Sequence, residues 1–170
     1  NRQNALMKVI NTEEAKKQCG GSAANTVIAV SQFGGNAFYC CKVANDELGY
    51  FYLEDLKNSG VDNSLEGKVP QDGITGKCLV MVTEDSERTL NTFLGITQNF
   101  SVQDLNESAI KDSKYLFIEG YLVTSPNGRE AMVHAKKTAE SAGTKVALTF
   151  SDPAMVKYFH SGFDEVIGSS

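Results

Sequence analysis

The sequence predicts an α/β fold built on a largely parallel sheet, with a small β-hairpin set outside it. Three observations carry this expectation. Helix-like and strand-like segments alternate along the 170 residues. The strand-like segments run on apolar residues, as in strands covered on both faces. Fifteen glycines against three prolines punctuate the chain where helices have to stop.

Taken in order, Ala5–Ile10 is a short apolar run of strand type, and Thr12–Lys17 is polar and turn-like or helical. Gly20-Gly21 opens a helix over Ser22–Phe33 that is small or apolar nearly all round. Ala23, Val27 and Val30 share one face, with Ala24 and Ile28 beside them, so the helix is expected to be buried. Gly34-Gly35 ends it. A strand follows over Ala37–Val43. Asn45 or Asp46 then caps a helix, Glu47–Ser59, that buries Leu48, Phe51, Tyr52 and Leu56 before Gly60 closes it.

The middle of the chain is different. Thr75–Thr83 and Thr89–Phe93 are rich in β-branched, alternating residues joined by the polar turn Glu84–Glu87. A hairpin does not suit the interior of a parallel sheet, which places it outside as a flap. Beyond it, Lys114–Glu119 reads as a strand, and Ser125-Pro126 opens a helix with Pro in its first turn. Ala131, Ala135, Ala139 and Ala142 form the packing face of that helix and Gly143 stops it. Lys145–Phe150 reads as a strand, Pro153–His160 as a short helix and Phe163–Ile167 as a last strand.

Composition narrows the function. The formal charge of −5 comes with no basic stripe, which argues against a nucleic-acid partner but not against a nucleotide ligand. No apolar run approaches the length of a bilayer span and no leader segment is visible from Asn1, so no membrane partner is expected. Cys19, Cys40, Cys41 and Cys78 form no C-x-x-C pair, and the vicinal pair suits disulfide geometry poorly. With His134 and His160 they make a poor metal set. Buried free thiols in a reducing, cytoplasmic setting are expected. Both histidines read as structural or surface residues, and Asp152-Pro153 as a helix-start cap.

The most informative motif is Gly20-Gly21-Ser22-Ala23-Ala24-Asn25-Thr26. Paired glycines let a ligand approach the backbone, and a helix start offers free N–H groups and a positive dipole end. Asn25 lies about one turn in, and its carboxamide both donates and accepts, which suits a sugar diol. These residues alone leave open a plain turn with a satisfied interior amide.

Gly20-Gly21-x-x-x-Asn25, Gly34-Gly35 and Asp46-x-x-Gly49 together resemble the N-terminal signature of PfkB-family carbohydrate kinases, the family of ribokinase, adenosine kinase and fructokinase. Thr75–Leu94 is similar to the family's lid strands. Glu119-Gly120-Tyr121-Leu122 resembles the strand end that contacts substrate. The stretch Glu87–Gly95 and that same run look most like bacterial adenosine-kinase-like members.

The resemblance implies a three-layer α/β/α fold, ribokinase-like and Rossmann-type, with a small β-lid and an incomplete domain. Lid strands would fall within residues 1–10 and 70–95, and core within 18–68 and 96–170. It implies ATP-dependent transfer of phosphate to a hydroxyl of a sugar or nucleoside, with ATP and Mg2+ as cofactors. Gly20, Gly21 and Asn25 would contact substrate hydroxyls, Glu119 would be a further polar contact, and Arg88 on the flap would close over substrate or phosphate. Read without the resemblance, Glu119 could be a solvated surface residue and Arg88 an exposed turn cation. A homodimer through Thr75–Phe93 is also expected.

No catalytic residue is assigned within the chain. The family's Gly-Ala-Gly-Asp segment, whose aspartate takes the proton of the attacking hydroxyl, does not occur in it. The Asn-x-x-Glu motif is expected after a strand like Phe163–Ile167, and the first strand with its substrate-binding aspartate before Asn1. These residues alone are therefore expected not to transfer phosphate. The alternative is a catalytically inactive sugar- or nucleoside-binding module. A dinucleotide-binding domain is disfavoured because no G-x-G-x-x-G occurs.

Overall fold

The computed structural model describes residues 16–168 together with Leu6. The strand expected over residues 5–10 lies outside the described residues, apart from Leu6, which is helical, and so does most of Thr12–Lys17. The described chain forms three two-stranded sheets, two of them parallel and one antiparallel. The ladders of the two parallel pairs do not join among the described residues.

The first unit contains α1 (Ser22–Gln32), β1 (Ala37–Tyr39), α2 (Glu47–Asn58) and β2 (Val61–Asn63). β1 and β2 pair in parallel from Ala37↔Val61 to Tyr39↔Asn63, with α2 as the crossover that parallel strands need. Cys19, Ala24, Cys41, Leu56 and Val61 form its core, lined by Val27, Ile28, Tyr39 and Tyr52. Gly34, at φ 83°, turns the chain out of α1 so that the Gly35 N–H reaches the Val30 carbonyl at 2.9 Å.

Two expectations change here. Only Ala24 of α1 is fully buried, while Val30 is 43% exposed, because the small two-stranded sheet covers one side of the helix only. The strand expected over Ala37–Val43 stops at Tyr39. Beyond it the Cys41 and Ala44 N–H groups leave the ladder for the hydroxyls of Ser64, at 3.3 Å, and Thr75, at 2.9 Å.

β3 (Lys77–Val82) and β4 (Arg88–Phe93) are the expected hairpin, paired antiparallel from Lys77↔Phe93 to Val82↔Arg88. The turn has no Asn-Gly because Ser86 itself takes the left-handed conformation, at φ 66°. The Asp85 carboxylate accepts from the Thr83 hydroxyl and the Glu87 N–H and holds the turn closed.

The second parallel unit has α3 (Glu107–Lys111), β5 (Tyr115–Ile118), α4 (Pro126–Ser141), β6 (Lys145–Leu148) and α5 (Pro153–Gly168). β5 and β6 pair in parallel from Tyr115↔Lys145 to Ile118↔Leu148 across α4. The Ser125 hydroxyl accepts from the Gly128 N–H at 3.0 Å and caps α4 ahead of Pro126. Ala131, Ala135 and Ala139 are buried as expected, but Ala142 is exposed, since it is the C-cap where the chain leaves through Gly143 at φ 78°.

Phe163–Ile167 is helix, not the strand expected from its composition. Phe163 and Val166 are both buried in one cluster with Ile118, Val123 and Met132. Residues three apart share a face of a helix but point to opposite faces of a strand, so burying both selects the helix. The landmark used to place the Asn-x-x-Glu motif is therefore a helix. The thiols also need a correction: all four are free, but only Cys19 and Cys41 are buried, and Cys78 is exposed on the hairpin.

One carboxylate ties these parts together. Asp46 caps α2, its Oδ1 accepting from the Gly49 N–H at 2.8 Å and the Thr75 hydroxyl at 2.6 Å, and its Oδ2 from the Thr75 N–H at 2.9 Å. Thr75, at the root of the hairpin, is 3% exposed. Gly49 must be glycine, because a Cβ there would lie 2.0 Å from the Ala44 carbonyl oxygen. Burial pushes the Asp46 carboxyl up, but the Thr75 hydroxyl and N–H, the Gly49 N–H and the Lys77 charge outweigh it and hold it below the ordinary aspartate value.

Asp46→Asn removes the charge and sets an amide donor against the Thr75 donors, and is expected to destabilise the protein by about 1–3 kcal/mol at neutral pH. The folded value lies below the unfolded one, so this carboxylate's contribution is complete above about pH 4 and is lost as pH falls through the folded value. Thermal melts of both proteins should show a gap that narrows toward low pH; a gap constant with pH would exclude this role for the charge.

Candidate functional site

Gly20, Gly21 and Asn25 sit where the chain enters α1. Gly21 is the N-cap at φ 105°, a conformation that requires glycine, and no side chain caps the helix there. Gly20 is under neither constraint: a Cβ there would meet no atom of the described residues within 4 Å, so the space beside it is open among them. The Asn25 N–H closes the first turn onto the Gly21 carbonyl at 2.9 Å. Its carboxamide is exposed and has no hydrogen bond among the described residues. Among the described residues it is therefore not the satisfied interior amide that the sequence left open.

Behind the glycines the backbone is held by two side chains of α2. The Tyr52 hydroxyl donates to the Gly20 carbonyl at 3.1 Å, and the Cys19 N–H donates to Asp55 Oδ2 at 2.7 Å. Cys19, Tyr39, Cys41 and Tyr52 lie together. Burial pushes the Cys19 thiol up to about 11 and the Cys41 thiol up to about 12, and it pushes both phenols up as well. At neutral pH all four are uncharged, so these thiols are packing groups, not nucleophiles.

Glu119 follows β5 and precedes a 3₁₀ turn, Gly120–Thr124. It is not a solvated surface residue. The Ser151 hydroxyl donates to its Oε1, and its Oε2 is shielded from solvent with no partner among the described residues. Gly120 lets the end of β6 cross closely, since a Cβ there would lie 2.2 Å from the Thr149 carbonyl oxygen. Asp152 caps α5, Oδ1 accepting from the Ala154 N–H at 2.7 Å and the Met155 N–H at 3.0 Å. The Tyr121 hydroxyl also bonds to Asp152, which raises the phenol and lowers the carboxyl.

The Glu119 charge is the last of the groups that push the Tyr39 phenol up, after burial and the thiols of Cys41 and Cys19. Arg88 is not brought to either end. It is the exposed first residue of β4, opposite Val82 at the turn end of the hairpin, and makes no ion pair among the described residues. Among the described residues no three of His, Cys, Asp or Glu converge on a metal site. No helix of the described chain is long and apolar enough to cross a membrane.

Ser151, Tyr52 and Thr75 carry this geometry and were not singled out from sequence. Tyr52 reads as packing, and Asp152 as a cap only. The Ser151–Glu119 and Tyr52–Gly20 bonds each span 32 residues, and such contacts leave no local pattern.

The pfkB family carbohydrate kinase model matches residues 4–169. The chain is 26% identical over 132 residues to 5-dehydro-2-deoxygluconokinase of Geobacillus thermodenitrificans, covering 76% of this chain and 39% of that protein. It is 31% identical over 133 residues to the same-named protein of Halalkalibacterium halodurans, covering 76% and 40%. Its structure is similar to adenosine kinase from Sinorhizobium meliloti, with TM-score 0.87 and 34% identity over 97% of this chain and 50% of that one. Trypanosoma brucei brucei adenosine kinase shares the fold, with TM-score 0.85 at 20% identity. The chain spans about two-fifths of the length of these curated relatives and about half that of the solved structures. The three-layer ribokinase-like architecture is thus that of its neighbours, and the chain belongs to the pfkB family of carbohydrate kinases.

Proposed function

We propose that this chain supplies the hydroxyl-binding half of a kinase that transfers phosphate from ATP to a sugar or nucleoside. One observation carries the reading: among the described residues the glycine pair at the start of α1 faces open space, and the exposed Asn25 carboxamide one turn along has no partner. Backbone N–H groups and a carboxamide are suited to a polyol, and ligands of open α/β sheets sit outside strand ends. Glu119, at the end of β5, would add an acceptor. The relatives' names, a ketosugar-acid kinase and an adenosine kinase, support a hydroxyl-bearing substrate of sugar or nucleoside type. Arg88, carried by the hairpin, would reach phosphate or substrate only through movement of that flap.

ATP and Mg2+ would be held largely by residues other than these. The Gly-Ala-Gly-Asp aspartate is not in the sequence, so these 170 residues incubated with ATP, Mg2+ and adenosine should form no phosphorylated product. Turnover would contradict that assignment of the catalytic base. The alternative, a binding module without catalysis, differs only if the intact protein also fails to turn over.

Gly20→Ala tests the pocket. Its Cβ would meet no atom of the described residues, so stability should change by less than about 0.5 kcal/mol. Adenosine binding by calorimetry should weaken at least tenfold, because the methyl occupies ligand space. Unchanged affinity would place the ligand elsewhere.

The hairpin also suits self-association through open strand edges, forming a homodimer. Val80 and Leu90 pair across the strands and are 47% and 62% exposed. Light scattering should show a dimer that Leu90→Asp converts to monomer, and a monomeric parent protein would refute this.

A further inference from the structure

We propose that Ser151 is a positioning residue: its hydroxyl fixes the Glu119 carboxylate through Oε1 so that Oε2 is presented to a ligand hydroxyl. This deepens the polyol-binding reading above and rests on it. Glu119 Oε2 is shielded from solvent and lacks a partner among the described residues. A buried carboxylate oxygen without a donor is costly, and native structures rarely keep one unless something else supplies the hydrogen bond. A ligand O–H is a donor of the required kind.

The other oxygen explains why Oε2 stays where it is. Ser151 Oγ holds Oε1 at 2.5 Å, so the carboxylate cannot turn to exchange its two oxygens without breaking that bond. Ser151 is itself held by the junction of β6 and α5. Its N–H donates to Thr149 Oγ1 at 3.1 Å, and the next residue, Asp152, caps α5 and donates its N–H to the Phe150 carbonyl at 2.8 Å.

The backbone points the same way. Ser151 is at φ 64°, a left-handed conformation that glycine or asparagine would adopt more readily. A strained residue that uses its side chain at a strand end is a reason to look for function. Gly120 completes the device: a Cβ there would lie 2.9 Å from Ser151 Oγ, so the glycine after Glu119 leaves room for the serine.

The test uses the intact protein and two variants, Ser151→Gly and Glu119→Gln. Ser151→Gly removes the donor and relieves the backbone, so its melting temperature should equal or exceed that of the parent. Its crystal structure should show Glu119 leaving its present rotamer, and calorimetric titration with adenosine should show affinity reduced about tenfold. A merely structural serine would not combine retained stability with weakened binding. Glu119 holding its rotamer in Ser151→Gly, with adenosine affinity unchanged, would overturn the proposal. If Glu119→Gln weakens binding and Ser151→Gly does not, the positioning role fails and the polyol reading stands. If the parent protein binds neither adenosine nor fructose, the polyol reading fails, and the rotamer of Glu119 in Ser151→Gly alone decides what Ser151 does.

Discussion

The Asp46 carboxylate meets three parts of the molecule at once: the end of the chain segment after β1, the first turn of α2 and the root of the β3–β4 hairpin. Each of these ends carries backbone donors that the regular ladders leave free, and the Ala44 N–H finds the Thr75 hydroxyl in the same knot. Hydrogen bonds to a charged acceptor contribute more than neutral ones, roughly 1.5–3 kcal/mol each. The knot also explains a sequence constraint, since the close approach of Ala44 to α2 is possible only with glycine at 49. With the Ala44–Gln71 bridge and the Thr97 hydroxyl on the Lys42 carbonyl, the knot joins the flanks of the hairpin to the segment after β1.

The two parallel units place their chemistry at comparable positions. In the first, a glycine pair enters a helix, and a tyrosine from the crossover helix holds the glycine carbonyl. In the second, a carboxylate leaves a strand, and a serine from the next strand end holds one of its oxygens. In both, a contact 32 residues distant in sequence fixes the group. In the core of the first unit the buried thiols of Cys19 and Cys41, with the half-buried phenols of Tyr39 and Tyr52 against them, contribute packing and hydrogen bonds without charge.

Much of this was legible in the sequence because it rests on local rules. Gly34 and Gly143 stop helices, Ser125-Pro126 starts one, and alternation over residues 75–93 makes a hairpin. Glycine pairing and Asn25 were visible as candidates for the same reason, while Glu119 was a candidate through the family resemblance. What was not legible depends on tertiary geometry. Phe163–Ile167 has a strand's composition, and only the shared burial of Phe163 and Val166 makes it helical. The three-residue β2 is too short to show a period. Ser151 looks like a residue ahead of a cap until β5 and β6 bring it against Glu119. Arg88 matched the flap by position, yet the hairpin holds it at its exposed tip.

The central claim is that the open start of α1 and the end of β5 bind one polyol. A crystal structure of the intact protein grown with adenosine examines this directly. Ribose hydroxyls should lie within hydrogen-bonding distance of the Asn25 carboxamide and Glu119 Oε2, with the sugar against Gly20. Adenosine bound elsewhere, or those atoms engaged only by the protein's own side chains, would contradict it.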